Sequence, residues 1–243
     1  PLILFGLLYL LKDGASLYYY IFLFSAVPLF ITLSILVFKI KEAPINPAGG
    51  QGLTVSERVI LPKSFYLFLG IAILFTLGNS SDAFLILRAQ HVGVSLLEIP
   101  IMIAFFNLIY AAMAVPFGSL SDRIGRVKTM FIGWIVYAAV YLGFAFASQS
   151  LVIWLLYGLY GIYYAMSEGV AKAFLADMVA LGHRGKAFGI YGATIGVVTL
   201  PASFFAGFLW DRFGPQAPFY FSAIIAGMAA ILLIVFSKKL RIL

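Results

Sequence analysis

The 243-residue sequence has no cysteine and two histidines. Without thiols there is no disulfide framework, no thiolate nucleophile and no cysteine-based zinc site. Charge is the second scarcity: Asp, Glu, Lys and Arg make up 10% of the residues, against roughly 25% in an ordinary soluble domain. The sixteen basic and nine acidic residues leave a net charge of +7. The basic residues stand singly between apolar runs, not in the clustered stripe that tracks phosphates, which excludes a nucleic-acid-binding module. Catalytic signatures are missing as well. There is no H-E-x-x-H pair, no G-x-S-x-G elbow and no G-x-x-x-x-G-K-[ST] loop, so neither an enzyme nor ATP-driven chemistry is expected. His91 and His183 fall in predicted loops on opposite faces. No cofactor and no metal site is expected.

What is present is apolar. Hydrophobic residues make up 63% and aromatic ones 17% of the chain, with a mean hydropathy of +1.07. Runs bounded by charge, Gly or Pro extend over Tyr18 to Phe38, Phe65 to Leu87, Ser95 to Phe117, Thr129 to Ala147, Leu151 to Ala176, Lys186 to Leu209 and Ala217 to Phe236. Each approaches the roughly 20 residues that cross a bilayer core. A spanning backbone must satisfy its own hydrogen bonds, and these runs are too long and too uniformly apolar for barrel strands, so an all-α transmembrane protein is expected. An earlier run, Pro1 to Leu11, is about half a span. With no initiator methionine, residue 1 is not expected to be the gene's beginning. Residues 39–64 carry Pro44, Pro47, Pro62 and the Gly49-Gly50 pair and read as a linker.

Orientation follows from the basic residues. Assigning connections alternately puts Lys39, Lys41, Arg58, Lys63, Arg123, Arg126, Lys128, Arg184, Lys186, Lys238, Lys239 and Arg241 on one side, twelve of the sixteen. That side is expected to be cytoplasmic, with the linker and the C-terminus, in a multi-pass cell (cytoplasmic or inner) membrane protein.

An internal repeat supports the span count. Gly118 to Gly125 and Gly207 to Gly214 share the pattern G-x-L-x-D-R-x-G, 89 residues apart. Each is expected at a helix-to-helix turn. Three spans separate them, so they fall on opposite membrane faces, as an inverted three-helix repeat requires.

The stretch Gly118 to Lys128 resembles the cytoplasmic signature G-x-L-[AS]-D-[RK]-x-G-R-[RK] of the major facilitator superfamily (MFS) of secondary transporters, departing from it at Val127. Glu168-Gly169, Asp177, Arg184 to Gly189, Leu200 to Ser203 and Ala206 to Asp211 further resemble prokaryotic members of unassigned substrate. The resemblance implies an MFS-type helical bundle: residues 1–38 as a stub of helix 5 with helix 6, 39–64 as the central linker, and 65–243 as the C-terminal six-helix half, helices 7 to 12. It implies alternating access to a small solute, with the missing N-terminal helices, the lipid bilayer and H+ as partners. It also implies that Gly118, Asp122, Arg123, Gly125 and Arg126 form a conformational gate motif. A loop that only obeys the positive-inside bias is the plainer reading. A facilitator-like scaffold or sensor that moves no solute is the competing function.

Ionisable groups inside spans cost at least about 2.5–3.5 kcal/mol at the bilayer centre and require a partner or a wet cavity. Thr76, Asn79 and Asp82 follow helical spacing and are expected to form one polar stripe. Arg88, six residues on, is expected to snorkel or to pair with Asp82. Tyr157, Tyr160, Tyr164, Glu168 and Lys172 lie on one helical face, an aromatic ladder followed by an acid and a base. Glu168 and Lys172 are four apart in the favourable order, either as a structural ion pair or as a site where Glu168 handles a proton or a cationic group. Asn107 reads equally as interhelical glue or a substrate ligand. Gly185, Gly189, Gly192, Gly196, Thr199, Ser203 and Gly207 form a small-residue face, expected mainly for close packing, with the sliding surface of a rocking bundle as the other reading. Spans 18–38, 129–147 and 217–236 are free of charge, which suits the helices 6, 9 and 12 that the implied architecture places outside the cavity.

Overall fold

The computed structural model describes residues 26–28, 30–35, 38 and 61–240. The expected helix-5 stub and residues 39–60 of the linker lie outside them. Pro1–Val59 and Ile60–Leu243 are two separate compact units. The first contains helix α1 (Ala26–Ile35), within the expected span 18–38. There Thr32 and Ser34 donate to the carbonyls of Pro28 and Phe30 at 2.8 and 2.7 Å, which satisfies both hydroxyls on the surface of an apolar helix.

The second unit is built from α2 (Lys63–Gly78), α3 (Ala83–His91), α4 (Glu98–Ile124), α5 (Arg126–Phe146), α6 (Ser150–Met178), α7 (Arg184–Phe213), α8 (Ala217–Val235) and α9 (Ser237–Leu240). A 3-10 turn, Leu181–His183, precedes α7. Taken together, α2 and α3 form one membrane-length stretch, Lys63–His91, and five further helical stretches are also long and apolar enough to cross. The described residues contain no strand. This is a multi-pass, all-helical membrane protein.

The expected span Phe65 to Leu87 is not one helix. It stops at Gly78, and Asn79 adopts φ −104°, ψ 76° before α3 restarts at Ala83. The local sequence Gly-Asn-Ser-Ser is poor in helix propensity, and packing fixes the break. A Cβ on Gly78 would lie 2.9 Å from Ile225 Cβ and 3.0 Å from the Ser222 carbonyl, so only glycine lets α2 approach α8 this closely. His91, expected in a loop, ends α3 instead.

The repeat is visible in the packing. Exchanging α2 with α6, α4 with α7 and α5 with α8 turns the principal contacts into one another: α4 on α6 becomes α7 on α2, α5 on α6 becomes α8 on α2, and α4 on α5 becomes α7 on α8. The central pair, α5 on α8, maps onto itself. The two sequence motifs also end alike. Their residues Gly118 to Ile124 and Gly207 to Phe213 are helical, not loop, because α4 and α7 run beyond their expected ends at Phe117 and Leu209. Only Gly125 (φ 98°) and Gly214 (φ 93°) form the turns, in a region costly for any residue with a Cβ. Each donates its N–H four residues back, to Ser121 and Trp210, at 3.1 and 3.0 Å.

The core lies between α2, α5, α6 and α8. Phe75 stacks on Trp134 with centroids 4.3 Å apart, and Tyr137 stacks on Tyr141 at 4.1 Å. Glycines set the close crossings: a Cβ on Gly133 would sit 2.6 Å from Ser167 Oγ, and one on Gly161 would sit 2.9 Å from the Phe106 carbonyl. The small-residue face of α7 behaves differently. A Cβ on Gly185, Gly189, Gly192 or Gly196 would meet nothing within 4 Å, so the expected packing face is open over most of its length.

Candidate functional site

The break between α2 and α3 is held from three sides. Tyr137, at the middle of α5, donates its hydroxyl to the Gly78 carbonyl at 2.9 Å and lies 3.4 Å from Asn79 Oδ1. The first bond satisfies a carbonyl that the interrupted helix leaves without its usual partner. The Ser81 N–H donates to Ser203 Oγ of α7 at 3.1 Å. Tyr160 of α6 donates its hydroxyl to Asp82 Oδ1 at 2.7 Å, a short charge-assisted bond. Tyr160 itself is buried among Phe106, Tyr137, Tyr141, Tyr157, Tyr163 and Tyr164, whereas Asp82 is exposed at the surface of the half-bundle. An acid is thus fixed by a buried phenol at a helix interruption, within a stretch of membrane-spanning length.

Two expectations at this place are corrected. Thr76, Asn79 and Asp82 do not form one stripe, because α2 ends between the first and the second; Thr76 Oγ1 turns back to the Ala72 carbonyl at 2.8 Å. Arg88 neither snorkels nor pairs with Asp82. It is 3% exposed and donates through Nε to the Phe144 carbonyl at 3.0 Å, and through Nη2 to those of Ala145 and Ala147 at 3.2 and 2.9 Å. The last carbonyls of α5 lack intrahelical donors and carry the negative end of its dipole, so the guanidinium caps the helix.

The face of α6 is graded. Tyr157 and Tyr160 are buried, Tyr164 is half-buried, and Glu168 and Lys172 are open. Tyr164 meets Phe106 and Tyr110 of α4 edge-on, at 5.2 and 6.0 Å. Lys172 Nζ lies 2.6 Å from Glu168 Oε1, with side chains 59% and 48% exposed respectively. The pair therefore forms as spaced, on an open face. Asn107 is exposed, and its Nδ2 donates to Ile103 of its own helix at 2.7 Å; among the described residues it makes no bond to another helix.

The signature residues gather at one end of the bundle. Arg126, the first residue of α5, lies 3.6 Å from Asp122 at the end of α4 and 2.5 Å from Asp177 at the end of α6, so one guanidinium ties three helices. Asp122 and Arg123 are exposed, and Gly118 has open space at its Cβ position. A cavity of about 220 Å³ joins this cluster to the α4–α6 seam through Tyr110, Gly118, Asp122, Arg126 and Gly169. The roles of Asp177, which the sequence offers only as part of the resemblance, and of Tyr137 emerge from the fold. The acid at the last turn of α6, opposite a basic loop, was the available signal for the first. The partner of Tyr137 is a backbone carbonyl, which leaves none.

Six apolar stretches related by an inverted repeat, with an acid at a helix break, define one half of a transporter-like helical membrane protein. Residues 67–241 match the family model of the Major Facilitator Superfamily, and the chain belongs to that superfamily. It is 41% identical over 224 residues to an uncharacterised MFS-type transporter, MJ1317, of Methanocaldococcus jannaschii, covering 88% of this chain and 54% of that protein. It is 30% identical over 137 residues to the class B tetracycline resistance protein of Escherichia coli, covering 56% and 32%. The fold matches the crystal structure of an auto-inhibited POT-family peptide transporter with a TM-score of 0.61 at 18% identity, over 75% of this chain and 38% of that one. The chain thus spans about half the length of the M. jannaschii relative.

Proposed function

We propose that the chain is the C-terminal half of a proton-coupled secondary transporter of a small solute, working by alternating access in the cell membrane with its signature end and C-terminus in the cytoplasm. The observation that carries the reading is Asp82, held by Tyr160 at the break between α2 and α3. Interrupted helices with polar groups at the interruption are where secondary transporters place substrate and coupling-ion sites, and an acid inside a span is costly towards lipid, by at least about 2.5–3.5 kcal/mol at the bilayer centre.

In this reading the open faces of α4 and α7 line the path with Asp82, Tyr164 and Glu168, while the N-terminal helices of the same protein form the opposite wall. Asn79 and Asn107 supply hydrogen bonds to the solute, and Tyr160 orients Asp82. Glu168 takes and gives a proton, with Lys172 holding its charged form. Gly118, Asp122, Arg123, Gly125 and Arg126, joined by Asp177, latch one state at the cytoplasmic end. A tetracycline resistance protein among the relatives supports an organic solute.

Reconstitution of the complete protein in proteoliposomes tests this. An imposed pH gradient is expected to drive accumulation of at least one member of a broad organic-solute panel, with Asp82→Asn abolishing gradient-driven accumulation and Tyr160→Phe weakening it. Glu168→Gln should remove the pH dependence of uptake; unchanged uptake at every pH makes the Glu168–Lys172 pair structural. If nothing is bound or moved, the scaffold or sensor reading replaces transport.

A further inference from the structure

A second site lies at the opposite end of the bundle from the signature. A cavity of about 480 Å³ opens between the ends of α3 and α5 and the start of α8, lined by Arg88, Phe146, Ser148, Phe213, Gln216 and Tyr220 among others. No acidic residue lines it. Arg88 is 3% exposed, and two of its three nitrogens are engaged by the α5 carbonyls. Among the described residues no carboxylate pairs with it, and no hydrogen bond occupies Nη1. The carbonyl end of α5 opposes a full positive charge with about half a unit, and the N-terminal end of the 19-residue α8 adds about half a positive unit from the other wall. The cavity therefore carries excess positive potential around a buried cation that has no counter-ion, a costly arrangement unless an anion completes it.

The surroundings indicate the source of that anion. Phe146 and Phe213, the last residues of α5 and α7, are 72% and 68% exposed and flank the cavity. Phe146 stands edge-on to Tyr220 at 5.4 Å. Tyrosine and tryptophan rings at the ends of spanning helices sit at headgroup depth, which Tyr220 marks at this cavity and where the phosphates of the adjoining leaflet also lie.

We propose that this cavity binds a phosphate-type oxyanion, supplied by a phospholipid headgroup of that leaflet, with Arg88 Nη1 as the charged donor, Tyr220 and Gln216 as neutral donors, and the acyl chains lying along Phe146 and Phe213. Nothing in this site depends on the transport reading.

The test is thermal unfolding of the complete protein in detergent during titration with phosphatidylglycerol, with a phosphate-free diacylglycerol glycolipid, and with inorganic phosphate. Phosphatidylglycerol is expected to raise Tm by about 5 °C near saturation, and the glycolipid by much less. Gln216→Glu sets a carboxylate beside Arg88 as a built-in occupant. It should raise the starting Tm and abolish the phosphatidylglycerol increment; Ser148→Asp, on the loop at the same cavity, serves if that variant folds poorly. An equal rise with inorganic phosphate, abolished by the same variants, retains the oxyanion site and assigns it to a soluble ion. A phosphatidylglycerol increment that both variants leave intact, or none in the unaltered protein, overturns the proposal.

Discussion

Helices α6 and α7 are similar in composition and opposite in use. Both are long and apolar, yet 56% of the most apolar part of α6 is buried within the half-bundle against 11% for the stretch containing α7. Helix α4 sides with α7, at 17%. The glycines make the same division. Gly133 and Gly143 of α5 and Gly158 and Gly161 of α6 lie where a methyl group would strike a neighbour, whereas Gly169, near the open end of α6, and those of α7 from Gly185 to Gly196 face open space. Small residues thus serve two purposes here, close crossing in one region and an unfilled surface in the other, and spacing alone does not separate them. In a membrane the contrast bears on function, because an apolar helix with few neighbours in its own half faces lipid, another protein segment, or water.

Substitutions sharpen this contrast. The largest effect is expected from Gly161→Ala, whose methyl group would meet the Phe106 backbone carbonyl and force α4 away from α6; overpacking of this kind costs about 1–3 kcal/mol. Gly192→Ala on α7 should leave the melting temperature unchanged or raise it, because alanine gains up to about 1 kcal/mol over glycine in a helix interior. Equal losses at both positions would break the distinction. Next in size is Arg88→Gln. It exchanges the charged donor to the carbonyls at the end of α5 for a neutral amide that keeps part of the donation, a net loss comparable to one ordinary hydrogen bond, about 0.5–1.5 kcal/mol. The expected signature is faster hydrogen exchange at the end of α5 together with lower thermal stability. Arg126→Gln comes third, costing at most about 1 kcal/mol, because its ion pairs are partly solvated. It should loosen the ends of α4 and α6 together, which exchange at those two segments would report. Smallest is Lys172→Gln, whose pair is half-exposed and stands to lose about 0.5 kcal/mol or less; a larger drop in stability would place the pair in the packed core instead of on the open face.

Much of the bundle was legible in the sequence. Charge-bounded apolar runs located all six spans of the second unit to within several residues, and the G-x-L-x-D-R-x-G repeat anticipated the matched glycine turns at 125 and 214. Glu168 and Lys172 were legible for the same reason: a four-residue spacing on a helix leaves the side chains adjacent whatever surrounds them. The break at residues 79–82 was harder. Thr76, Asn79 and Asp82 fit one face of a continuous helix, and the Gly-Asn-Ser-Ser cluster, a turn signal in a soluble protein, was outweighed by the apolar residues on either side. Arg88 eluded the sequence because its acceptors are carbonyls 56 to 59 residues away. Its neighbour in sequence, Asp82, seemed the natural partner. The open face of α7 is not legible for a related reason: a row of glycines shows that no side chain fills the surface, and says nothing of whether another helix does.

The central claim, that the open faces of α4 and α7 line a water-filled path while the exposed face of α8 meets lipid, is tested most directly by thiol labelling. The 243 residues contain no cysteine, so single replacements can be compared within this region. Gly192→Cys and Gly196→Cys on α7 are to be set against Ile224→Cys and Ile231→Cys on α8, the latter two being 61% and 57% exposed. In the complete protein reconstituted in vesicles, a membrane-impermeant maleimide should modify the α7 positions and spare those of α8. Equal protection of all four would place α7 against lipid or protein and contradict the account.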